Sequence, residues 1–450
     1  MPSGRLNRRK FVATSAAAAA ATVAAPYVRT AGAAGSLSIG IWDHWVPGGN
    51  KAFSDLAEEF SKKENVEVKV DFITSQGNKL LLTVAAEDQA KSGHDIVTMT
   101  NWMPSQYADN LEPVDDVVDE AIKNGGDVSD TFKHFGKKDG SWRAVPSSRG
   151  TLSYACCSRL DLFKEHGGID LKAIFPPGKA PDPKLADTWT WDAYLKVAQA
   201  CNKAGKPFGL PMGQTADTVQ WVGSLFAAHG AQLVDSKGNI TVKSDNVRKV
   251  LDYSKQLMAA LPPEVYAWDD ASNNKWLVSG RGASIFNPPS AWAVAKRDAP
   301  KVAEQIWHHG VPKGPKGRFI GTNFFYHALW SFSKNKPAAK AFLRHISTRR
   351  AAEMFVNASL GYDLPPYAKF NDFKVWTDQG PPPGTLTHYP NQGDQVSTIA
   401  AYPAPYEIGA QIYTQAIMPK MIAKATRENV SIDKTIEWAQ SELDGITSRR

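Results

Sequence analysis

Cysteine is nearly absent, since 450 residues carry only Cys156, Cys157 and Cys201. An odd number with two adjacent members excludes a disulfide scaffold, so stability has to come from a buried core. Small buried hydrophobes fit these thiols better than a bridge from Cys156 or Cys157 to Cys201. Motifs of catalysis are missing too: there is no Gly-x-Ser-x-Gly elbow, His-Glu-x-x-His, Walker loop, Cys-x-x-Cys or Gly-x-Gly-x-x-Gly. No cofactor is implied, and His308-His309 is no metal pair, because adjacent residues point apart and no further ligand spacing supports them.

Strong charge is lacking once the N-terminus is set aside. The formal net charge is +7, but the first 35 residues hold Arg5, Arg8, Arg9, Lys10 and Arg29 with no acid, which leaves +2 on the remainder. That balance has no electrostatic footprint for phosphate backbones and excludes a nucleic-acid partner. A long hydrophobic run is also missing. Asn7-Arg8-Arg9-Lys10-Phe11-Val12 is a twin-arginine pair followed by an aromatic residue, and an Ala-rich run extends to about Ala25 before Pro26 interrupts it. A membrane span needs about twenty strongly apolar residues. With Ala31-Gly32-Ala33 as a small-residue cleavage region, residues 1–34 read as a twin-arginine signal peptide and the product as periplasmic. No cysteine follows at a lipoprotein position, so a soluble product is expected.

What is present is α/β patterning over a length that calls for two lobes. Leu37, Ile39 and Ile41 alternate as a strand that ends near Trp42, where Pro47-Gly48-Gly49 breaks the pattern. Phe53, Leu56, Ala57 and Phe60 then recur at helical spacing, with Asn50 as the expected N-cap. Val66, Val68, Val70 and Phe72 form a second strand, Leu80–Ala90 a second helix, and Asp95–Met99 a third strand. Three strands separated by two helices make a βαβαβ half of a doubly wound sheet. In such sheets ligands settle beyond the carboxyl ends of strands, so the loops at 43–45 and 100–102 are the first candidate surfaces. The tail from Tyr406 to Leu443 is helical, with Ser431 as an N-cap and Ile432, Ile436, Ala439 and Leu443 on one face.

Taken together, the chain resembles the family-one extracellular solute-binding proteins of ABC importers, the carbohydrate-type group that includes maltose-binding members. The resemblance rests on the opening strand with Trp42-Asp43, on Leu56-Ala57-Glu58-Glu59-Phe60, and on Gly140-Ser141-Trp142-Arg143-Ala144-Val145-Pro146. It continues through Leu160-Asp161-Leu162-Phe163-Lys164, Thr188–Leu195, Gly280–Asn287 and Lys336–His345, and so covers essentially the whole mature chain. Two stretches depart from the pattern: Cys156-Cys157-Ser158-Arg159 replaces a Tyr-Asn-Lys, and Pro288-Pro289-Ser290 a Gly-x-Trp. The resemblance implies a two-lobed type II, maltose-binding-protein-like fold with three interlobe crossings, near Ser148–Leu152, Ile320–Phe325 and Pro365–Phe373. The N-terminal lobe would comprise 36–148 and 323–367, and the C-terminal lobe 149–322 and 368–450. It further implies a monomer that captures a sugar, oligosaccharide or polyol and hands it to the membrane permease. The alternatives are a glycerophosphodiester or sugar phosphate as ligand, with Arg149 as counter-charge, and, from another class, an exported carbohydrate-active enzyme.

A sugar site needs flat apolar faces beside hydrogen-bonding groups, and the 14 tryptophans exceed what a core demands. Trp42, Asp43, His44 and Trp45 form one expected jaw, with Asn101 and Trp102 beside it and Arg149 at the first crossing. The other jaw is expected from Asp217, Gln220, Trp221, Asn287, Trp292, Tyr402 and Tyr406, with Asn323 at the second crossing. Asp43 and Arg149 would either pair or each grip hydroxyls, because a buried unpaired charge is costly. Trp189 and Trp191 read as a packing cluster. A glycosidase would need two carboxylates, one with a raised pKa; Asp43 and Asp217 are the only evident pair, and nothing in the sequence marks either as raised.

Overall fold

The computed structural model describes residues 35–385 and 394–448. The leader reading therefore lies outside the described residues. The alternating apolar start becomes β1 (Ser36–Trp42), with Leu37, Ile39 and Ile41 fully buried. It feeds α1 (Pro47–Glu64), β2 (Glu67–Ile73), α2 (Lys79–Ala90) and β3 (Ile96–Thr100), the expected βαβαβ unit. The helix start differs from expectation, because α1 begins at Pro47 and its N-cap position is Val46. Proline is pre-set for a first helical turn, where its missing N–H is no loss. Asn50 serves the loop instead: its Oδ1 accepts from the backbone N–H of His44 at 3.0 Å and its Nδ2 donates to Asp43 at 2.7 Å. Gly49 is required here, since a Cβ would lie 2.9 Å from the His44 ring.

The chain continues through β4 (Val145–Pro146), β5 (Leu152–Ser153), β6 (Ala155–Arg159), α3 (Trp191–Lys203), α4 (Ala216–His229), β7 (Ser284–Asn287) and β8 (Ile306–His309). It then forms β9 (Arg318–Asn323), β10 (Phe325–Leu329), α5 (Lys336–Ile346), α6 (Arg349–Ala358) and β11 (Gln395–Thr398). The expected helical tail is three helices, α7 (Tyr406–Thr414), α8 (Ile417–Thr426) and α9 (Ile432–Thr447), and the Ser431 hydroxyl caps the last by accepting from the Lys434 N–H at 3.4 Å.

Strand pairing divides these elements into two lobes. The first sheet runs β2-β1-β3-β10-β4, parallel for its first three strands and antiparallel beyond. Thus β10 returns from late in the chain to pair with β3, Ala328 opposite Val97. Its face packs on α1, which in turn contacts α5 and α6; the Phe53 ring stacks on Phe355 and meets Phe342 edge-on. The second lobe holds the antiparallel sheet β8-β6-β7. Phe163, Trp189, Tyr194, Phe208 and Phe286 interlock beside it. A third sheet, β11-β9-β5, lies where the chain passes between them, and β9 runs through Phe324 directly into β10. Leu364 returns beside the same place and donates to the Thr151 carbonyl at 2.9 Å.

Trp142, Trp189, Trp191, Trp221, Trp330 and Trp376 are fully buried, so the abundance of tryptophan reflects packing more than binding. Trp189 and Trp191 form the expected cluster. Cys156, Cys157 and Cys201 are free and buried.

Candidate functional site

A cavity of about 430 Å³ opens between the carboxyl ends of β1 and β3 on one side and the start of α4 and the end of β7 on the other. That volume suits a small ligand. Of the expected residues, Trp42, Trp45, Asn101, Trp102, Asp217, Asn287 and Asn323 line it.

Its floor is an amide and hydroxyl network that joins the lobes. Asn101 follows β3 with a left-handed φ of 52°, a conformation asparagine tolerates. Its backbone N–H donates to the Phe324 carbonyl and its Oδ1 accepts from the Phe324 N–H, at 2.8 and 2.9 Å. The Nδ2 donates to Asn323 Oδ1 at 3.0 Å and to the Tyr413 hydroxyl at 3.1 Å. Gln220 donates to the same Asn323 oxygen from behind at 2.5 Å, and Asn323 Nδ2 donates to the Tyr154 hydroxyl at 2.9 Å. Gln220 is thus a support for Asn323 and takes no part in the wall.

The second-lobe wall is acidic. Asp217 is 6% exposed and accepts from Asn273 Nδ2 at 2.7 Å, while its own backbone N–H donates to Asp270 at 3.2 Å. Burial pushes the Asp217 carboxyl well above the usual carboxylate range, and the neighbouring Asp270 charge adds to it. Asp270 is likewise raised, chiefly by burial. Nothing in the sequence marks Asp217 as raised, because its burial is set by packing that its local sequence does not encode. Asn287 donates to Asn274 at 2.6 Å and to Ser290 at 3.0 Å, which fixes a polar corner beside the acids.

The aromatic side has one open face. Trp45 is 39% exposed at the mouth, next to Leu81 and Leu82. Trp42, by contrast, is 2% exposed and wedged against His44, Phe325 and Tyr362 at centroid distances of 4.7, 5.0 and 6.5 Å, so it is chiefly a packing residue at the cavity edge. Trp102 is equally buried and meets Phe135 edge-on at 4.6 Å.

Eight expected residues lie outside the lining, and each has a physical reason. Arg149 is 1% exposed and spends its guanidinium on the end of β1 and the first turn of α1: it donates to the carbonyls of Gly49 (3.2 Å) and Trp42 (3.0 Å) and to Asn50 Oδ1 (2.6 Å). Burial lowers it to about 10, which still leaves it charged at neutral pH. Asp43 is exposed and bound to Asn50, so Asn50 bridges the two charges in place of a direct pair. His44 is buried against Asp363 at 2.9 Å, with its Nδ1 accepting from the Val46 N–H. Gln220 stands behind Asn323, as above. Trp221 donates to the Pro211 carbonyl at 2.9 Å and stacks on Phe286 inside the second lobe. Trp292 belongs to an apolar cluster with Ile285, Ile306 and Cys157. Tyr402 packs edge-on to His134 at 5.1 Å and lines a different hollow, and Tyr406 is half-buried at the start of α7. Conversely, Tyr154, Asp270, Asn274, Tyr362 and Tyr413 line the cavity without having been singled out. Trp268–Asn274, with two acids and two amides in seven residues, is the stretch whose composition signals the missed acid and amide.

No cluster of three or more His, Cys, Asp or Glu among the described residues is placed to hold a metal ion. His308 and His309 lie in β8, and His309 is engaged by Ser158 at 2.9 Å. Among the described residues no helix is long and apolar enough to cross a membrane.

The fold agrees with comparisons to other proteins. No curated protein sequence matches the chain. Solved structures that it resembles include maltose-bound MalE3 of T. maritima, with TM-score 0.72 and 15% identity over 92% of this chain and 100% of that one. Another is a solute-binding protein from Thermotoga lettingae with α-D-tagatose (TM-score 0.70, 16% identity, 92% and 100% covered). A third, from Agrobacterium vitis with D-mannitol, has TM-score 0.66 and 19% identity over 92% and 99%. At these identities the likeness establishes the maltose-binding-protein-like fold. The model of the bacterial extracellular solute-binding proteins matches residues 55–381, and the chain belongs to that family of receptors.

Proposed function

We propose that this protein is a periplasmic receptor that captures a carbohydrate or polyol between its lobes and delivers it to an ABC permease. The single observation that carries the choice of ligand is the cavity wall, where aromatic rings alternate with Asn101, Asn274, Asn287 and Asn323 and, among the described residues, no lysine, arginine or histidine is present. Rings take the C–H faces of a sugar and amides take its hydroxyl rim. Trp102, part of the same wall, has an indole N–H without an acceptor among the described residues. A phosphate ligand lacks support, since Arg149, the cation on which it depended, is spent on Trp42 and Gly49. The relatives' own ligands, maltose, tagatose and mannitol, favour the same class.

The lobes in this reading are 36–148 with 323–367, and 149–322 with 368–450, in a monomer exported by the twin-arginine leader at 1–34. The pairing of β10 with β3 and the packing of α5 and α6 on α1 support that division. Ligand touched from both lobes favours the closed form, and the mechanism is a population shift about the crossings. A thermal-shift screen of sugars, polyols and their phosphates tests it. A cognate ligand at 100 times its Kd adds about 2.7 kcal/mol to stability. A shift by phosphorylated compounds alone overturns the ligand class, and consumption of a sugar overturns the receptor.

A further inference from the structure

The cavity carries a charge pattern that neutral sugars do not require. Among the described residues, Asp217 and Asp270 are the only formally charged side chains in its wall. They are neighbours, linked through the Asp217 backbone N–H to Asp270 Oδ1 at 3.2 Å, and the charges that act on them are acidic, Asp270 and Asp269 on Asp217 and Asp269 on Asp270. Lys275 acts on Asp269, which faces away into solvent.

The buried arginines of the molecule have acids to balance them: Arg318 has Asp394 at 3.0 Å and three backbone carbonyls, and Arg149, whose guanidinium donates to two carbonyls and Asn50, lies in the field of Asp363 and Asp43. Asp217 and Asp270 are instead held by neutral donors, Asn273 Nδ2 at 2.7 Å on the one and the Asp217 backbone N–H at 3.2 Å on the other, and the pair faces the ligand cavity. Burying two carboxylates without a counter-charge costs stability, and a ligand that brings the counter-charge recovers that cost on binding. The surrounding rings, including Tyr154, Tyr362 and Tyr413, also offer negative faces to a cation.

We infer that the captured solute is an amine-bearing carbohydrate or aminocyclitol, its ammonium group lying against Asp217 and Asp270 and its hydroxyls against Asn274, Asn287 and Asn323. The inference rests on the carbohydrate reading of the same cavity and narrows it. An ammonium donating to carboxylates makes charge-assisted bonds that a hydroxyl at the same position cannot equal.

Isothermal titration with glucosamine and its β-1,4-linked dimer, against glucose, cellobiose and N-acetylglucosamine, tests this. The amines should bind about tenfold or more tightly than their neutral isosteres. The Asp217→Asn/Asp270→Asn double variant should lose that preference without a lower melting temperature in the absence of ligand. Neutral sugars bound as tightly as the amines, or a preference that persists in the double variant, would overturn the amine inference and leave the carbohydrate reading standing. Failure of all five sugars overturns both.

Discussion

Replacing Arg149 by Met should damage folding far more than binding. The guanidinium ties the end of β1 to the first turn of α1 through three acceptors: the carbonyls of Trp42 and Gly49 and the side chain of Asn50, at 3.0, 3.2 and 2.6 Å. Hydrogen bonds to a charged donor contribute about 1.5–3 kcal/mol each. Two deductions apply. Asn50 is only partly buried, so water replaces some of its loss, and methionine is spared the cost of burying a charge, a cost visible in the lowering of the arginine to about 10. The guanidinium also lies 5.8 and 5.6 Å from the Trp42 and Phe53 rings, contacts that the aliphatic side chain keeps only as packing. The net expectation is a loss of about 3–5 kcal/mol in unfolding free energy. Arg149→Lys, with one point charge in place of a fork, should lose less because it can still reach one carbonyl. Urea unfolding at pH 7 measures the stability of both variants, and titration calorimetry on the folded fraction measures affinity. A loss below about 1 kcal/mol together with a hundredfold weaker affinity would refute the reasoning and make Arg149 a ligand contact.

Trp45→Ala, at the open mouth, should weaken ligand binding by about 1–2 kcal/mol with little change in melting temperature; a drop in stability at constant affinity would make Trp45 a packing residue. Asp217→Asn should raise the melting temperature at pH 7. The Asp217 carboxyl is held above its ordinary value, so its ionised form is penalised in the folded state. The gain should shrink as pH falls toward the unfolded carboxylate value, and an equal gain at pH 7 and pH 3.5 would exclude the electrostatic cause. His327 is lowered to about 3, by burial first and by Arg149 second. The unfolded chain takes up a proton near pH 6.5 that the folded chain refuses, so stability is lost as pH falls below that value, by about 2 kcal/mol at pH 5 from this residue. His327→Gln should remove one proton from the pH slope of unfolding between 6.5 and 5, and an unchanged slope would contradict the buried neutral state.

The frame of the molecule was legible where periodicity is local. The alternation at Leu37, Ile39 and Ile41 and the helical spacing of Phe53, Leu56, Ala57 and Phe60 located β1 and α1, and hence the loop at the cavity edge. The start of α1 was misplaced because Pro47 serves as a helix opener as readily as a breaker. Site residues were legible where they sit at strand ends, in the loop after β1 or at a helix start, as Asn101 and Asn323, Trp45 and Asp217 do. Arg149 and His44 were misread because their partners, Gly49, Trp42 and Asp363, are distant in sequence or are backbone groups that no side-chain pattern reveals. Trp221 followed polar residues at a helix start, yet α4 is buried on nearly every side and turns the indole inward. Tyr154 and Tyr413 were missed for the opposite reason, since nothing in a short strand flank or a tyrosine in the last turn of a helix announces a cavity on the far side of a crossing.

The pairing of β10 between β3 and β4 has a consequence for the order in which the chain can be built. β3 is complete at Thr100, but its partner strand spans Phe325–Leu329. Until the ribosome has passed that point, Ile96, Val97 and Met99, all buried in the finished protein, sit on an unpaired sheet edge. The first lobe therefore cannot be finished from the N-terminal half of the message, and truncations that end before β10 should give aggregating fragments with no stable lobe among them. Assembly of the two lobes is one late event, completed when the returning strand closes the sheet and, in the same stroke, sets Asn323 beside Asn101.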